Sequence, residues 1–216
     1  MHSYGTDAKD RETIPLWLAA LAVAATLLLN YLLNVLKLQI PWWVDAPSVM
    51  GFYGLLHTRF DNLLWHLQIG SIHFSEIPDL RGTWVGVVKS SYQGGTEVRG
   101  VLMYIRQTWL KLSVQLETAN SRSLSTMASI NTLNSYEPGL KYEYVNEPSA
   151  LSVQTMQPHR GTNHLRLEPD GITLKGDYFT NRNRLNYGEM VFRLVSRKYL
   201  TRQEALQQAS SYLANL

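Results

Sequence analysis

The residues best equipped for chemistry lie in three short runs of the C-terminal half. "PHRGT" sets His159 and Arg160 beside Gly161, a residue that lets a ligand come close to the backbone. "GDYFTNRNR" gathers Tyr178, Thr180, Arg182 and Arg184 at what reads as a strand end. "ETANSRS" supplies the hydroxyls of Thr118, Ser121 and Ser123. Arginine presents a planar fork matched to phosphate, and hydroxyls can donate to phosphate oxygens. Trp109, Tyr142 and Tyr178 are rings on which a base could stack, for about 1–3 kcal/mol each. These types together point to an anionic, base-bearing ligand. A plainer reading stays open for each: Arg160 and Arg182 as ordinary surface, Trp109 and Tyr142 as core, the serines as solvated strand positions. Trp84, in "RGTWVG", reads as core at the floor of the domain.

Catalytic patterns are missing from the chain. It has no Gly-x-Ser-x-Gly elbow, no His-Glu-x-x-His, no P-loop and no Gly-x-Gly-x-x-Gly. Without cysteine there is no disulfide framework, thiolate metal site or Cys nucleophile. His159 and His164 lie five apart, which places them on opposite faces of a strand. The expectation is therefore no catalytic residue, no metal site and no cofactor, in a protein that is not an enzyme. The net charge is +3, unevenly spread: residues 1–67 carry 4 basic and 5 acidic side chains, residues 68–216 carry 16 and 12. A mildly basic second part suits an anionic ligand or lipid surface, and is too weakly charged for bulk nucleic acid.

The elements that must position these residues are strands. Leu110, Leu112, Val114 and Leu116 alternate with Lys111, Ser113, Gln115 and Glu117, the period of a half-buried strand. The same reasoning gives eight candidates: Gly82–Ser90, Glu97–Gln107, Leu110–Thr118, Ser121–Asn134, Leu140–Asn146, His164–Glu168, Ile172–Thr180 and Tyr187–Ser196. Turn chemistry in "YQGGT", "YEPG", "NEPS" and "EPDG" separates several of them. Ala150–Asn163 is expected to be a long loop and a functional candidate. Consecutive short strands on tight turns suit a compact eight-stranded antiparallel barrel, which leaves no exposed edge. Such a barrel has room for packed side chains or one small ligand. The expected organisation is an N-terminal tail (1–13), a helical hairpin (14–67), a linker (68–79), the barrel (80–198) and a short C-terminal helix (199–216).

The helical hairpin belongs to a membrane. "TIPLWLAALAVAATLLLNYLLNVL", between Glu12 and Lys37, carries no charge, and about 20 apolar residues cross the hydrocarbon core. Its acidic-and-basic flank and missing small-residue cleavage site favour a retained span, 14–36, over a signal peptide. Pro41, Trp42 and Trp43 suit the interface before a second candidate span, about 47–67, which Arg59 and Asp61 interrupt. Ala20 with Ala24, and Asn30 with Asn34, are spaced for helix–helix association in lipid. Lys9, Arg11 and Lys37 favour both ends in the cytosol.

"LRGTWVG", "IRQTWLKLSVQLETANSRSLS", "LKYEYVNEP", "HRGTNHLRL" and "LKGDYFTNR", in this order behind a helical hairpin, resemble a known family. It is the two-transmembrane, β-strand-rich effector family of bacterial CBASS anti-phage systems. The resemblance runs from Ile14 to about Ser196. It implies a cytosolic barrel that binds a cyclic dinucleotide made by a partner CD-NTase. It further implies homo-oligomerisation, contact with membrane lipids, disruption of the bacterial inner membrane and death of the infected cell. Ligand contacts are then placed at Thr118, Ser121, Ser123, Tyr142, Arg160, Tyr178 and Arg182, and self-association at Ala20, Ala24, Asn30 and Asn34. A membrane-anchored lipocalin-like barrel for an apolar ligand, or a membrane-tethered scaffold, are the alternatives.

Overall fold

A computed structural model describes residues 1–37, 45–70, 72–153, 157–182 and 184–214. Pro41, Trp42 and Trp43 lie outside the described residues. In chain order the elements are β1 (His2–Ser3), β2 (Gly5–Thr6), α1 (Asp10–Val35), α2 (Asp45–Arg59), a π-helical turn (Phe60–Leu64), β3 (Gln68–Ile69), β4 (Ile72–His73), β5 (Gly82–Ser90), β6 (Thr96–Gln107), β7 (Lys111–Glu117), β8 (Ser121–Asn131), β9 (Gly139–Pro148), β10 (His159–Leu167), β11 (Thr173–Thr180), β12 (Tyr187–Ser196), α3 (Arg202–Gln208) and α4 (Ser210–Ala214). They fall into two compact units, Met1–Asp7 with Ile77–Leu216, and Ala8–Glu76.

In the first unit, β5 to β12 each pair antiparallel with the next in sequence, and β12 pairs back onto β5. The result is the closed eight-stranded barrel expected from the strand count. Alternation explains its wall: Leu112, Val114 and Leu116 are buried while Lys111 is exposed and Ser113 and Gln115 half-exposed. One end is closed by an apolar floor of Leu80, Trp84, Ile105, Trp109, Leu140 and Phe192, all buried. Hydrogen bonds brace that floor. Trp84 Nε1 donates to the Leu80 carbonyl (2.9 Å), and the Gln107 amide accepts from Leu80 N (2.9 Å) and donates to the Pro78 carbonyl (3.1 Å).

Strand ends shift by one to three residues in β6 to β9, and two regions differ more from the sequence reading. β10 starts at His159, inside the expected loop, because Gly161 lies in the ladder opposite Tyr144 and Thr180. The glycine marks a close approach, not a turn: a Cβ there would collide with the Tyr144 hydroxyl and lie 2.5 Å from the Phe179 carbonyl. At the other end of the chain, His2–Ser3 and Gly5–Thr6 form short strands within the expected tail. β7 and β8 pair only over 115–117 and 122–124, and an irregularity in the β8–β9 register lies just beyond, at Ser125–Met127. Past it the N-terminal segment takes up the separate edges: β1 pairs with β7 (His2↔Leu112) and β2 pairs in parallel with β8 (Thr6↔Ile130). Tyr4, buried, donates to the Trp109 carbonyl (2.8 Å), and Asp7 accepts from Thr132 N (2.7 Å). The C-terminal helix is broken at Ala209 into α3 and α4. A capping box of Thr201 and Glu204 starts α3. Ala205 and Ala209 pack on Val85 and Leu102, outside the barrel wall.

The second unit is helical. α1 has 26 residues, or about 39 Å at 1.5 Å per residue, enough to cross a hydrocarbon core of about 30 Å. Leu16, Trp17, Leu21, Leu27 and Tyr31 are exposed on it, apolar surface that suits lipid rather than water. Leu18, Ala22 and Thr26 form its buried stripe, and α2 packs against α1. Among the described residues α1 alone is long and apolar enough to span a membrane. The expected second span instead shows α2 ending at Arg59 and continuing as a π turn in which Phe60 is buried. Ser75 Oγ and Glu76 N both donate to the Asp10 carboxylate in the first turn of α1. Such a pairing ties the helix start to the chain just after β4.

Candidate functional site

The inner wall of the barrel changes character along its length. Above the apolar floor, β8 to β11 turn polar side chains inward. On β8 the usual alternation is inverted: Ser121, Ser123 and Ser125 are buried, while Leu124 is exposed. On β9 Asn146 and Tyr144 stand opposite Ser123 and Ser125, and Tyr142 follows opposite Ala128; Asn163 on β10 lies beside Tyr142, and Tyr178 on β11 beside Asn163. These tyrosines and asparagines are all buried. No Lys, Arg, Asp or Glu of the barrel unit is among its buried residues, so the described interior is polar and uncharged.

Three of these groups are left wanting. Asn146 Nδ2 donates to Ser121 Oγ (3.2 Å), but its Oδ1 accepts nothing. Asn163 Oδ1 likewise has no partner. The Tyr142 hydroxyl makes no hydrogen bond of ordinary geometry, although the Asn163 amide lies beside it. An unsatisfied buried polar atom costs about 1–3 kcal/mol, against a net stability of about 5–15 kcal/mol for a domain. A barrel selected only for stability would fill this space with leucine. Burial holds the Tyr142 and Tyr144 phenols above their ordinary range, so both stay protonated donors at neutral pH. Neighbouring Tyr178 adds to that effect on Tyr144, and Arg184 opposes it.

At the polar end, charge gathers on the rim. His159 opens β10, with its ring edge-on to Tyr144 at 6.3 Å. Its Nδ1 lies 3.0 Å from Arg184 Nη1 and 3.1 Å from the Gln157 carbonyl. The two contacts require opposite protonation at Nδ1, so they exclude one another. Burial depresses the His159 pKa, and the nearby Arg184 charge adds to this against the Gln157 carbonyl. We favour the neutral ring accepting from Arg184. The Arg184 guanidinium also sits 5.4 Å from the Tyr92 ring centroid. Tyr178 donates to Ser90 Oγ (2.5 Å). A cleft of about 550 Å³ opens beside Ser90, lined also by Ser91, Gly95, Phe179 and Tyr187.

The residues proposed from sequence divide accordingly. Ser121, Ser123, Tyr142 and Tyr178 converge on the polar interior. The Thr118 hydroxyl serves the β7–β8 turn, accepting from Asn120 N (3.2 Å) and Ser121 N (3.0 Å). Arg160 is exposed on β10, one position from the inward-facing Gly161, and Arg182 is exposed in the β11–β12 loop. Trp109 is buried at the floor and Trp84 with it. His159 and His164 fall on opposite faces, and the described residues contain no cluster able to hold a metal ion. Ser125, Tyr144, Asn146 and Asn163 were missed, although counting by twos from Tyr142 and Ser123 reaches all but Asn163. In α1, Ala20, Ala24 and Asn34 are exposed, while Asn30 is half-buried one turn beyond Thr26 on the buried stripe.

Two family models match this chain. Residues 75–194 match the Cap15 cyclic dinucleotide receptor domain, and residues 12–66 match the Cap15 transmembrane helices. A curated relative, "CD-NTase-associated protein 15" of Yersinia aleksiciae, is 32% identical over 144 residues, covering 66% of this chain and 67% of the relative. With a receptor-domain match over the barrel and a membrane-helix match ahead of it, the chain belongs to the Cap15 family.

Proposed function

We propose that the barrel binds a cyclic dinucleotide at its polar end, and that binding drives the membrane helices of several copies together as the effector step of CBASS anti-phage defence. The observation that carries the first half is the uncharged polar interior with unmet hydrogen-bonding groups, beneath a rim bearing Arg184 and His159, in a receptor-domain match. An apolar ligand of lipocalin type would leave those groups unsatisfied, so the interior favours a ligand rich in donors and acceptors. Ser121, Ser123, Tyr142 and Tyr178 are its proposed contacts within, Arg182 and Arg160 outside, with Thr118 shaping the turn between β7 and β8.

The second half rests on α1. Its exposed Ala20 and Ala24 leave room for close helix approach, and Asn30 and Asn34 can hydrogen-bond between copies. A ligand that binds the assembled form better than the free one shifts the population towards it. Homo-oligomers in the bacterial inner membrane, with the barrel in the cytosol, a second span near 47–67, membrane disruption and death of the infected cell complete the reading. Calorimetric titration of the full-length protein in detergent with cyclic dinucleotides tests it. Saturable binding of one, with its linear counterpart silent, is expected. Silence towards every cyclic dinucleotide would return the barrel to the scaffold or lipocalin-like alternative.

A further inference from the structure

Two side-chain amides of the barrel interior leave an acceptor unmet, and the Tyr142 hydroxyl beside Asn163 is unmet with them. The two side-chain amides without partners expose acceptors, Asn146 Oδ1 and Asn163 Oδ1. Asn146 is 6% exposed and Asn163 1%. Asn146 faces Ser121 with its Nδ2 and leaves its oxygen open to the interior. A phosphate offers only acceptors at neutral pH and cannot serve either oxygen. The cations that suit a phosphate, Arg184, Arg182 and Arg160, stand at the rim or outside, and none is buried among the described residues of the interior.

Given a barrel that is a cyclic dinucleotide receptor, the reading on which this rests, we infer that Asn146 and Asn163 are specificity-determining residues. Their amide oxygens take N–H or O–H donors from the inward end of the ligand, whose phosphates stay at the rim with Arg184. The donors on a nucleotide are base N–H groups and the ribose hydroxyl. Either source supplies a donor, and phosphate supplies none. The ligand thus enters base-first or ribose-first. The hydroxyl end of Tyr144 packs against Gly161, whose missing side chain leaves room for it. A site that depends on hydrogen bonds rejects analogues lacking the donor far more strongly than an apolar pocket rejects a changed shape.

The test uses the full-length protein in detergent and four probes: cyclic di-GMP, cyclic di-AMP, cyclic di-UMP and cyclic di-IMP. Asn146→Leu and Asn163→Leu are compared with the unsubstituted chain, and thermal unfolding without ligand is recorded for each. Leucine removes the unmet acceptor, so unfolding is expected at the same temperature or higher, while affinity for the preferred probe falls at least about tenfold. Asn146→Ser and Asn163→Ser read the same contrast should a leucine prove too large. Loss of affinity on removing a base amino group assigns the donor to the base. Loss with the 2′-deoxy form of the preferred probe assigns it to the ribose. Folded variants that bind as tightly as the unsubstituted chain overturn the inference. If the unsubstituted chain itself binds none of the probes, the receptor reading has failed, and that failure is visible before any variant is measured.

Discussion

Removing the Tyr4 side chain should destabilise the barrel as strongly as a core substitution, despite its place near the start of the chain. Tyr4 is 7% exposed and its hydroxyl donates to the Trp109 carbonyl at 2.8 Å. Tyr4→Phe deletes that bond alone, a loss of about 1–2 kcal/mol when the carbonyl is left unmet. Tyr4→Ala adds a cavity beside the floor, for about 3–5 kcal/mol in total. A domain of this size loses about 2–4 °C per kcal/mol, so Tyr4→Ala should lower the barrel melting temperature by roughly 10 °C. Tryptophan fluorescence is the natural assay, because Trp109 and Trp84 lie in that floor. With Trp17, Trp42, Trp43 and Trp65 replaced by phenylalanine, the remaining emission comes from Trp84 and Trp109 and tracks the barrel. A Tyr4→Ala protein melting within about 1 °C of its parent would show that residues 1–7 are not part of the barrel. Tyr4→Phe falling as far as Tyr4→Ala would show that the hydrogen bond, not packing, dominates.

Other expectations come from the same geometry. Gly161→Ala places a methyl against the Tyr144 hydroxyl and the Phe179 carbonyl, so it should cost about 1–3 kcal/mol in a denaturant melt. His159 has a depressed pKa in the folded chain and an ordinary one unfolded, so the stability it contributes is present above about pH 6.5 and is lost as pH falls below it; His159→Gln should remove that slope from melting curves taken between pH 5 and 8. A ligand phosphate beside His159 and Arg184 favours the protonated ring, so binding should take up protons at pH values between the depressed pKa of the free ring and the raised one of the complex, measurable by titration in buffers of different ionisation enthalpy. Arg184→Ala should weaken cyclic dinucleotide binding more than Arg160→Ala, because Arg184 is anchored at the rim and Arg160 faces away from the interior. Thr201→Ala should lower stability by about 1 kcal/mol through loss of the α3 cap.

Eight strands were legible in the sequence, because a wall that is apolar inside and polar outside writes its period into the residues. Leu112, Val114 and Leu116 carry that signal cleanly. It fades where the inner face is itself polar. Residues of β10 such as Asn163 face inward among Arg160, Thr162 and His164 facing out, so no alternation in hydropathy marks them. The site is hidden for the same reason that it is a site. On β8 the pattern was legible but reads inside-out, with buried serines flanking an exposed Leu124. The two-residue strands β1 and β2 are too short to show any period, and only their partners reveal them. The rim pairing of His159 with Arg184 joins residues 25 apart, a contact that local pattern does not carry.

The threading of residues 1–7 between β7 and β8 bears on how this barrel can be handled. A soluble fragment begun after the membrane helices, at residue 70 for instance, lacks β1 and β2. It would expose backbone groups at Lys111–Leu112 and Ser129–Ile130 that those strands pair in the whole chain. Two such open edges are templates for a strand from another molecule. A fragment of that kind should dimerise by donor-strand exchange, or accept a synthetic peptide of sequence HSYGT in the vacant groove. Oligomers of the fragment would then report a missing segment and not the signalling state.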